Sequence, residues 1–473
     1  MNGAGGRGEP ENRAESKIDA DASGRKKSRR RTTAPLGERM KIVGGKWSNW
    51  SGGVVCKPRQ IVAPKDEVEL AAAIRGAEGT VRAPGTGHSF TPLCASDGTL
   101  LDMAAFSGLK SVDAGQRIAT FAAATPLWAV GPALQSHGLA LANMGDIDRQ
   151  TLGGAVGTGT HGTGRTLGSL SAQVAGFRMI LANGDVLRCS AAENPEIFAA
   201  GRVSMGTLGV MTEISMHALP AYKLIEKNFV LPVSELFEKL DVLVSGNRHF
   251  EFFWFPYAET TVCKSLNLSE APAPDARPAE AMRARGEAGS SDARVFSAIN
   301  EVLPYSRFLL KPVHRLFSQL MPGPERVRWS HEIFPSPRTV RFNEMEYAVP
   351  YEKGPDCLRE IVETIRKKRI NTGFPIEYRT VAADDIWLSP FYKRDSATIA
   401  VHQYHKVDTT KLFETCESIF RRYEGRPHWG KRHSCTGHEF ASLYPEFERF
   451  RALRRELDPG AKFLNAHLRT IVD

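Results

Sequence analysis

The sequence predicts an α+β protein built from more than one domain. The chain has 473 residues, more than one hydrophobic core usually serves. Short apolar runs alternate with glycine-rich turns between about residues 47 and 219, and longer strand-like and helix-like segments follow from about residue 222. The hydrophobic fraction of 42% and the charged fraction of 24% are ordinary for a globular protein.

Residues 1–46 are predicted to form a disordered basic tail. Six basic side chains lie between residues 25 and 31, in a stretch with almost no apolar residues to bury. The paired arginines are not followed by the apolar segment that a twin-arginine export signal requires. A solvated tail is therefore favoured over a targeting or nucleic-acid-binding role, and Met40 is an alternative start.

Residues 47–220 are predicted to form the first folded domain. We expect strands at 59–63, 80–83, 173–181, 186–189 and 209–217, with Asn183-Gly184 as a hairpin turn. We expect a helix at 65–75, because acidic residues occupy its first turn and an apolar stripe follows, formed by Val68, Ala71, Ala72 and Ile74.

Residues 221–427 are predicted to form a second domain, and residues 428–473 a C-terminal segment. We expect strands at 227–231, 250–255, 338–348, 374–382 and 398–404, and helices at 233–244, 355–367 and 410–423. The stretch 271–292 is rich in Ala, Pro, Arg and Gly, which predicts a loop insertion near 270–295 that does not belong to the core.

No segment has the length and apolarity of a transmembrane helix. The most apolar run, 118–134, is interrupted by Thr125, Pro126 and Pro132. The seven cysteines are scattered without a Cys-x-x-Cys pair, which indicates neither a disulfide framework nor a zinc site, and we expect no bound metal. We therefore expect a cytoplasmic protein, with peripheral membrane association left open.

Two glycine-rich motifs are the main candidates for ligand binding. In Pro84-Gly85-Thr86-Gly87-His88-Ser89, glycines after a strand let backbone N–H groups point at an anion such as a diphosphate, although an ordinary turn is the alternative. Residues 148–164 are dominated by glycine and threonine, which predicts close approach of the backbone to a ligand. A flexible linker is the alternative for this second motif.

These motifs, together with residues 206–210, resemble the FAD-binding domain of the vanillyl-alcohol-oxidase superfamily. Arg-Pro-His-Trp-Gly-Lys at 426–431, Leu-Tyr-Pro at 443–445 and residues 457–465 resemble the sugar-1,4-lactone oxidases of the L-gulonolactone and D-arabinonolactone type, and the related alditol oxidases. The resemblance implies a two-subdomain FAD-binding domain and an α+β substrate (cap) domain. The C-terminal segment would complete the active site and return to the FAD domain.

The resemblance implies FAD as the cofactor. In many members the histidine at the position that His88 matches is covalently bonded to the flavin, so a covalent bond through His88 is expected. A neutral His88 that only hydrogen-bonds near the flavin is the alternative, and a structural hydrogen bond is the alternative for His161. The residues implied to contact FAD are Ala83, Pro84, Gly85, Thr86, Gly87, His88, Ser89, Asp146, Thr151, Gly154, Thr158, Gly159, Thr160, His161 and Val210.

The resemblance also implies the catalytic residues Glu377, Arg379 and Lys431, and His402, which precedes Tyr404 by one strand alternation on a nearby predicted strand, is expected to face the substrate as well. Glu377 and Arg379 are two apart on a predicted strand and therefore share one face, where a plain ion pair is the alternative. In the family this face meets the flavin. Arg379 would stabilise negative charge, Glu377 would bind hydroxyl groups, and Lys431 would take or hold the hydroxyl proton.

The implied function is oxidation of a CH–OH group of a sugar-1,4-lactone, with hydride transfer to the flavin and re-oxidation by oxygen, giving hydrogen peroxide, or by another acceptor. A polyol (alditol) oxidase and a non-catalytic flavin-binding protein are the alternatives. Alditol-oxidising members tend to carry serine where this chain has Asp146, which counts against that branch. The expected partners are a small lactone or polyol and an electron acceptor, with no nucleic acid.

Overall fold

The computed structural model describes residues 40, 42–287, 299–320, 322–336, 338 and 340–473. The predicted disorder of residues 1–39 lies outside the described residues. Ile42–Val43 and Lys46–Ser48 are strands, so the predicted tail boundary at residue 46 is wrong.

The described strands, in chain order, are β1 (Ile42–Val43), β2 (Lys46–Ser48), β3 (Val55–Cys56), β4 (Gln60–Val62), β5 (Val81–Arg82), β6 (Thr99–Leu101), β7 (Leu109–Asp113), β8 (Ile118–Ala122), β9 (Leu139–Ala140), β10 (Val174–Ile180), β11 (Val186–Ser190), β12 (Val210–His217), β13 (Leu219–Pro220), β14 (Lys223–Pro232), β15 (His249–Trp254), β16 (Thr260–Leu268), β17 (Arg326–Trp329), β18 (Phe342–Pro350), β19 (Ile376–Val381), β20 (Ser396–Tyr404) and β21 (Arg426–Pro427).

The described helices are α1 (Glu67–Gly76), α2 (Leu127–Gln135), α3 (Leu152–Gly157), α4 (Pro195–Gly201), α5 (Val233–Ser245), α6 (Ala279–Glu287), α7 (Arg307–Leu320), α8 (Ser330–Ile333), α9 (Gly354–Lys368), α10 (Thr410–Arg422), α11 (Gly437–Leu443), α12 (Phe447–Leu457) and α13 (Ala466–Val472). None of these helices is both long and apolar enough to span a membrane.

The first half of the described chain holds two main sheets. A parallel sheet has the strand order β4-β6-β5, and an antiparallel sheet has the order β11-β10-β12-β8-β7. Helix α1 begins where the Asp66 side chain accepts the Glu69 N–H at 2.9 Å. Its buried residues are Leu70, Ala71 and Ile74, whereas Val68 is 77% exposed and Ala72 is also exposed, so the predicted apolar stripe is wrong at these two positions.

The second half is organised by an eight-stranded sheet with the order β17-β14-β16-β15-β19-β20-β18-β21. All of its neighbouring strands are antiparallel. Helices α5, α9 and α10 pack on one face. That face is aromatic in the centre, where Tyr378 stacks on Phe252 with ring centroids 4.8 Å apart and Tyr347 stacks on Phe420 at 4.7 Å. The residues between these aromatics point to the opposite face, where the charged side chains lie.

One predicted loop is wrong in part. Residues 271–292 were expected to lie outside the core, yet Ala279–Glu287 is a helix and its Met282 is 1% exposed. Met282 packs against Trp128 and Ala129 of α2. The alanine-rich composition that indicated a loop also supports a helix, and the contact with α2 stabilises it. The α+β class itself is confirmed.

Candidate active site

A cleft that is open to solvent runs between the two glycine-rich motifs. No Asp or Glu is among the described residues that line it, so it can accept a dianionic group without electrostatic repulsion from its own wall. The predicted contact residues on its wall are Ala83, Pro84, Gly85, Thr86, Gly87, His88, Ser89, Thr151, Gly154, Thr158 and Val210. Gly159, Thr160, His161 and Asp146 lie outside that wall.

The glycines let the two loops pack side by side. A Cβ on Gly85 would collide with the hydroxyl of Thr151, whereas a Cβ on Gly157 would meet nothing within 4 Å. The Thr86 hydroxyl donates to the Arg149 carbonyl at 2.7 Å, which joins the loops directly. Backbone therefore forms the wall at positions where side chains would fill the cleft. A wall of this kind fits a dinucleotide with a diphosphate.

Arg82, at the end of β5, fixes the wall of the cleft. It is 4% exposed, and its guanidinium donates to the carbonyls of Gly206 at 2.9 Å and Phe463 at 2.7 Å. It also donates to Met205 at 2.5 Å. One side chain thus connects the first glycine loop, the 205–206 turn and the C-terminal segment.

His88 lines the cleft and stacks on Trp50 with ring centroids 5.6 Å apart, and Trp50 packs against Phe342 of the eight-stranded sheet. Burial, together with the positive charges of Lys431, Arg149 and Arg338, lowers the pKa of His88 to about 4. The imidazole is therefore neutral at physiological pH. A neutral ring nitrogen has the lone pair that nucleophilic attack requires.

The C-terminal Trp-Gly-Lys sequence is paired with the His88 loop through the backbone. Phe90 N–H donates to the Gly430 carbonyl at 2.7 Å, and the Thr91 hydroxyl donates to the Trp429 carbonyl at 3.0 Å. The ammonium of Lys431 also lies 5.2 Å from the centre of the Phe90 ring. The structure therefore brings together His88 and Lys431, which are far apart in the sequence.

The charged face of the large sheet adjoins this point. Glu377 on β19 is opposite Ala400 on β20, and Glu346 on β18 is opposite the same alanine. Glu344 is opposite His402. Because Ala400 has only a methyl group, it leaves space between flanking carboxylates on one face of the sheet.

Arg379 is the centre of this face and contacts three carboxylates. It forms an ion pair with Glu377, its Nε lies 2.7 Å from Glu251, and its Nη2 lies 3.2 Å from Asp146. Burial raises the pKa of Glu377, and the net shift remains upward although Arg379 opposes it. Burial would also raise the pKa of Glu251, but Lys264 and Arg379 lower it to about 2.

Lys431 and His402 share one acceptor. Lys431 Nζ forms an ion pair with Glu344, and His402 Nε2 lies 3.5 Å from the other oxygen of the same carboxylate. Burial would raise the pKa of Glu344, but Lys431 and His402 hold it well below its usual range. The four predicted catalytic residues therefore lie on one face and form two groups, Glu377 with Arg379 and Lys431 with His402.

His161 belongs to the sheet side of the site. Its Nδ1 donates to the Gly162 carbonyl at 2.8 Å, and its Nε2 lies 2.9 Å from Glu346. His428 is close enough for the three side chains to hold a cation, with their ligand atoms within 4.8 Å of one another. However, His428 Nδ1 accepts the Gly430 N–H at 3.0 Å, which places its proton on the other nitrogen. The arrangement therefore favours a hydrogen-bonded chain over a metal site.

Asp146 was expected to line the FAD, but it faces the charged sheet. It forms ion pairs with Arg338 and Arg379. A carboxylate in the acid-free cleft would be desolvated without a partner, whereas two guanidinium groups neutralise it here. Asp146 therefore lies beside Arg379, and its contact with FAD stays a prediction.

Sequence reasoning missed several charged residues of this site, namely Arg82, Glu251, Lys264, Arg338, Glu344, Glu346 and His428. A usable signal was present at Glu251 and at Glu344-Met345-Glu346, because acidic residues rarely interrupt apolar or aromatic strands without a partner. Each of the three glutamates is 5% exposed. Arg82 gave no such signal, because its partners are backbone carbonyls distant in the sequence.

Comparisons with known proteins, by family models and by sequence, agree with one another. The D-arabinono-1,4-lactone oxidase family model matches residues 214–471, and an FAD-binding domain model matches residues 58–190. The chain is 37% identical over 432 residues to L-gulono-1,4-lactone dehydrogenase of Mycobacterium tuberculosis, which covers 90% of this chain and 99% of that protein. It is 32% identical over 443 residues to L-gulonolactone oxidase of Bos taurus, covering 90% and 98%.

Two further similarities extend this result. The chain is 30% identical over 438 residues to an alditol oxidase of a Streptomyces species, covering 90% of this chain and 99% of that protein. Among solved structures, cholesterol oxidase of Brevibacterium sterolicum superposes with a TM-score of 0.77 at 18% identity, covering 91% of this chain and 97% of that one. The second similarity concerns the fold alone.

Proposed function

Because this chain belongs to the D-arabinono-1,4-lactone oxidase family, we propose L-gulono-1,4-lactone or a closely related sugar-1,4-lactone as its substrate. The chain is an FAD-dependent oxidoreductase that acts on a CH–OH group of such lactones. The observation that carries the proposal is the backbone pairing of residues 90–91 with 429–430. It sets the charged face with Glu377, Arg379 and Lys431 beside the acid-free cleft.

FAD fits the cleft, and when bound it supplies the acceptor for the hydride that leaves the carbinol carbon. The diphosphate would be held by the backbone of Ala83–Ser89 and by Thr151 and Thr158. Val210 would lie beside the adenine. The acid-free wall and the space left by Gly157 support this placement.

The residues of the charged face have complementary tasks in the proposal. Arg379, which already compensates three carboxylates, would bind a substrate oxygen and stabilise negative charge that develops next to it. Glu377 would accept a hydrogen bond from a substrate hydroxyl or donate one when protonated, since burial raises its pKa. Both groups suit a neutral, hydroxyl-rich ring.

Lys431 would handle the hydroxyl proton. It would hydrogen-bond the oxygen of the reacting carbinol and take or hold its proton, and the adjacent Glu344 carboxylate would keep the lysine in place. His402 Nε2 lies 3.5 Å from the same carboxylate and helps to keep it oriented. Removal of the proton as hydride leaves the carbon gives a carbonyl product and balances the two-electron oxidation.

We also propose that His88 bonds covalently to the flavin. Its neutral imidazole on the wall of the cleft supports this assignment. The test is a visible spectrum of purified protein before and after acid precipitation. Flavin absorbance should stay with the pellet, and His88→Ala should release it to the supernatant. The exposed His137→Ala is the matched control and should retain it. Retention of flavin by His88→Ala would refute the linkage.

The same preparation tests the substrate and the acceptor. It should oxidise L-gulono-1,4-lactone faster than open-chain polyols at equal concentration. Measuring hydrogen peroxide under air, and dye reduction without oxygen, separates an oxidase from a dehydrogenase. A polyol oxidase is the second candidate because of the Streptomyces relative. Higher kcat/KM for a polyol than for every lactone tested would favour it over our proposal.

A further inference from the structure

Helix α7 (Arg307–Leu320) packs against the protein through a mixed face. Leu310, His314 and Ser318 are buried. His314 donates to the Thr372 carbonyl at 3.1 Å, and the Ser318 hydroxyl lies 2.9 Å from that of Thr260. Since polar side chains take up part of the inward face, several large apolar side chains of the helix are left facing outward.

One side of the exposed surface of α7 is apolar. Phe308 is 94% exposed, Leu309 46%, Leu316 50% and Leu320 68%. At about 3.6 residues per turn these positions fall on one side of the helix. Just before the helix, Val302 is 56% and Tyr305 70% exposed. Six large apolar side chains within nineteen residues, 302–320, form a continuous surface of the kind that marks an interaction site. We use the name α7 face for these six residues together with Lys311 and Arg315.

The charge on the α7 face is of one sign. Lys311 and Arg315 are exposed along its edge. The sequence contains no Asp or Glu from residue 302 to 324. A two-fold contact between two copies would place these cations against each other without compensation, which disfavours a self-associated dimer. A partner that matches both the apolar side chains and the cations is an apolar layer covered by negatively charged groups.

We propose that the α7 face binds the surface of an anionic phospholipid bilayer. Phe308, Leu309, Leu316 and Leu320 enter the boundary between head groups and acyl chains, while Lys311 and Arg315 contact lipid phosphates. The helix lies in the plane of the surface and does not cross it. This peripheral attachment is independent of the proposed reaction, because none of these residues contacts the cleft or the charged sheet face.

Vesicle co-sedimentation of the full chain tests the proposal. Binding to phosphatidylcholine vesicles that contain phosphatidylglycerol should exceed binding to phosphatidylcholine alone. Phe308→Ser with Leu316→Ser should lower the partition coefficient about tenfold or more, because both side chains lose their apolar contact. The matched control replaces two exposed valines on other helices, Val68→Ser with Val242→Ser, and should bind like the parent.

The basic residues 25–31 require a separate control, since they attract anionic vesicles by charge alone. High salt weakens such binding, so the fraction still bound at high salt should depend on Phe308 and Leu316. Lys311→Glu with Arg315→Glu should reduce binding at low salt more than Lys110→Glu with Arg188→Glu, two exposed cations elsewhere. Lactone oxidation in solution should be the same in all variants, which shows that they are folded.

Two results would overturn the proposal. One is equal vesicle binding by the parent and the Phe308→Ser, Leu316→Ser variant at high salt. The other is a dimer by light scattering that becomes monomeric only in that variant, which would mean that the α7 face is buried against a second copy.

Discussion

The cleft and the charged sheet face lie side by side but are built on opposite principles. The described wall of the cleft contains no acidic side chain and depends on glycines that bring backbone close to the ligand. The sheet face holds four buried carboxylates. Lys264, Arg379 and Lys431 compensate Glu251, Glu377 and Glu344, and His161 contacts Glu346. A region that binds an anionic cofactor keeps its own negative charge away. A region that binds a neutral substrate can carry many charges, provided that they neutralise one another.

The largest effect is expected in the cleft, from Gly85→Val. The added side chain would collide with Thr151 and separate the two glycine loops. We expect the purified protein to lose its flavin absorbance, with FAD affinity lowered by about 100-fold or more. Gly76→Val, where a Cβ meets nothing within 4 Å, should keep its flavin. A yellow Gly85→Val protein would show that the close packing of the loops is not required.

The next effect is on the sheet face, from Arg379→Met. Glu377, Glu251 and Asp146 would lose their shared cation. We expect kcat to fall about 10²–10³-fold and the free energy of unfolding to fall by about 3–5 kcal/mol, with flavin content retained. Steady-state kinetics and denaturant unfolding measure the two effects. Arg379→Lys should recover part of the stability but little of kcat, because lysine cannot form the same forked contacts. An active Arg379→Met enzyme would exclude the proposed role.

Lys431→Met should have a smaller effect that is confined to the reaction. Loss of the proton-handling group should lower kcat by about 100-fold, with the flavin still bound. Glu344→Gln should lower kcat less than Lys431→Met does, since it removes only the carboxylate that holds the lysine in place. Lys411→Met, on the surface of α10, is the matched control. Equal kcat values for Lys431→Met and Lys411→Met would remove Lys431 from the mechanism.

The smallest effect is on how the free energy of unfolding depends on pH, and it involves one histidine of the cleft and one beside the sheet face. Burial lowers the pKa of His88 to about 4 and of His428 to about 3. The unfolded chain, with a histidine pKa near 6.5, therefore binds more protons than the folded protein below pH 6.5. The stabilisation is present above pH 6.5 and is lost as the pH falls toward 4.

His428→Asn keeps an acceptor for the Gly430 N–H but cannot titrate. It should reduce the slope of unfolding free energy against pH, between pH 6.5 and 5, by up to about 1.4 kcal/mol per pH unit. Urea unfolding at several pH values measures this slope, and the exposed His137→Asn should change it much less. Identical slopes for the parent and His428→Asn would mean that His428 is charged in the folded protein.

The features predicted best from the sequence are those that depend on residues close together in the chain. Helix α1 begins at Asp66 and α10 at Thr410, close to the expected positions, because capping groups and apolar periodicity act within a few residues. The two glycine motifs were found for the same reason. Strands β7 and β8 and helix α2 were not predicted, because a continuous apolar run such as 118–134 has no period that separates strand from helix.

The site was predicted less completely than the fold. Glu377 and Arg379 were paired correctly by strand alternation, but Glu251 and Asp146, their other partners, are separated from Arg379 by more than a hundred residues. No local pattern connects such positions. Asp146 was assigned to the cofactor by resemblance alone, and its ion pairs with Arg338 and Arg379 have no signal in the sequence. Charge compensation across a sheet is a property of the folded chain.

The contact between the Thr91 hydroxyl and the Trp429 carbonyl spans 338 residues of sequence. A ribosome adds roughly 5–20 residues per second, so about 17 to 70 seconds pass between synthesis of these two partners. During that interval the first glycine loop is exposed without the Trp-Gly-Lys segment that adjoins it in the finished protein. Maturation with flavin is therefore expected to follow release of the chain, and its yield should depend on how long the unfinished polypeptide is protected.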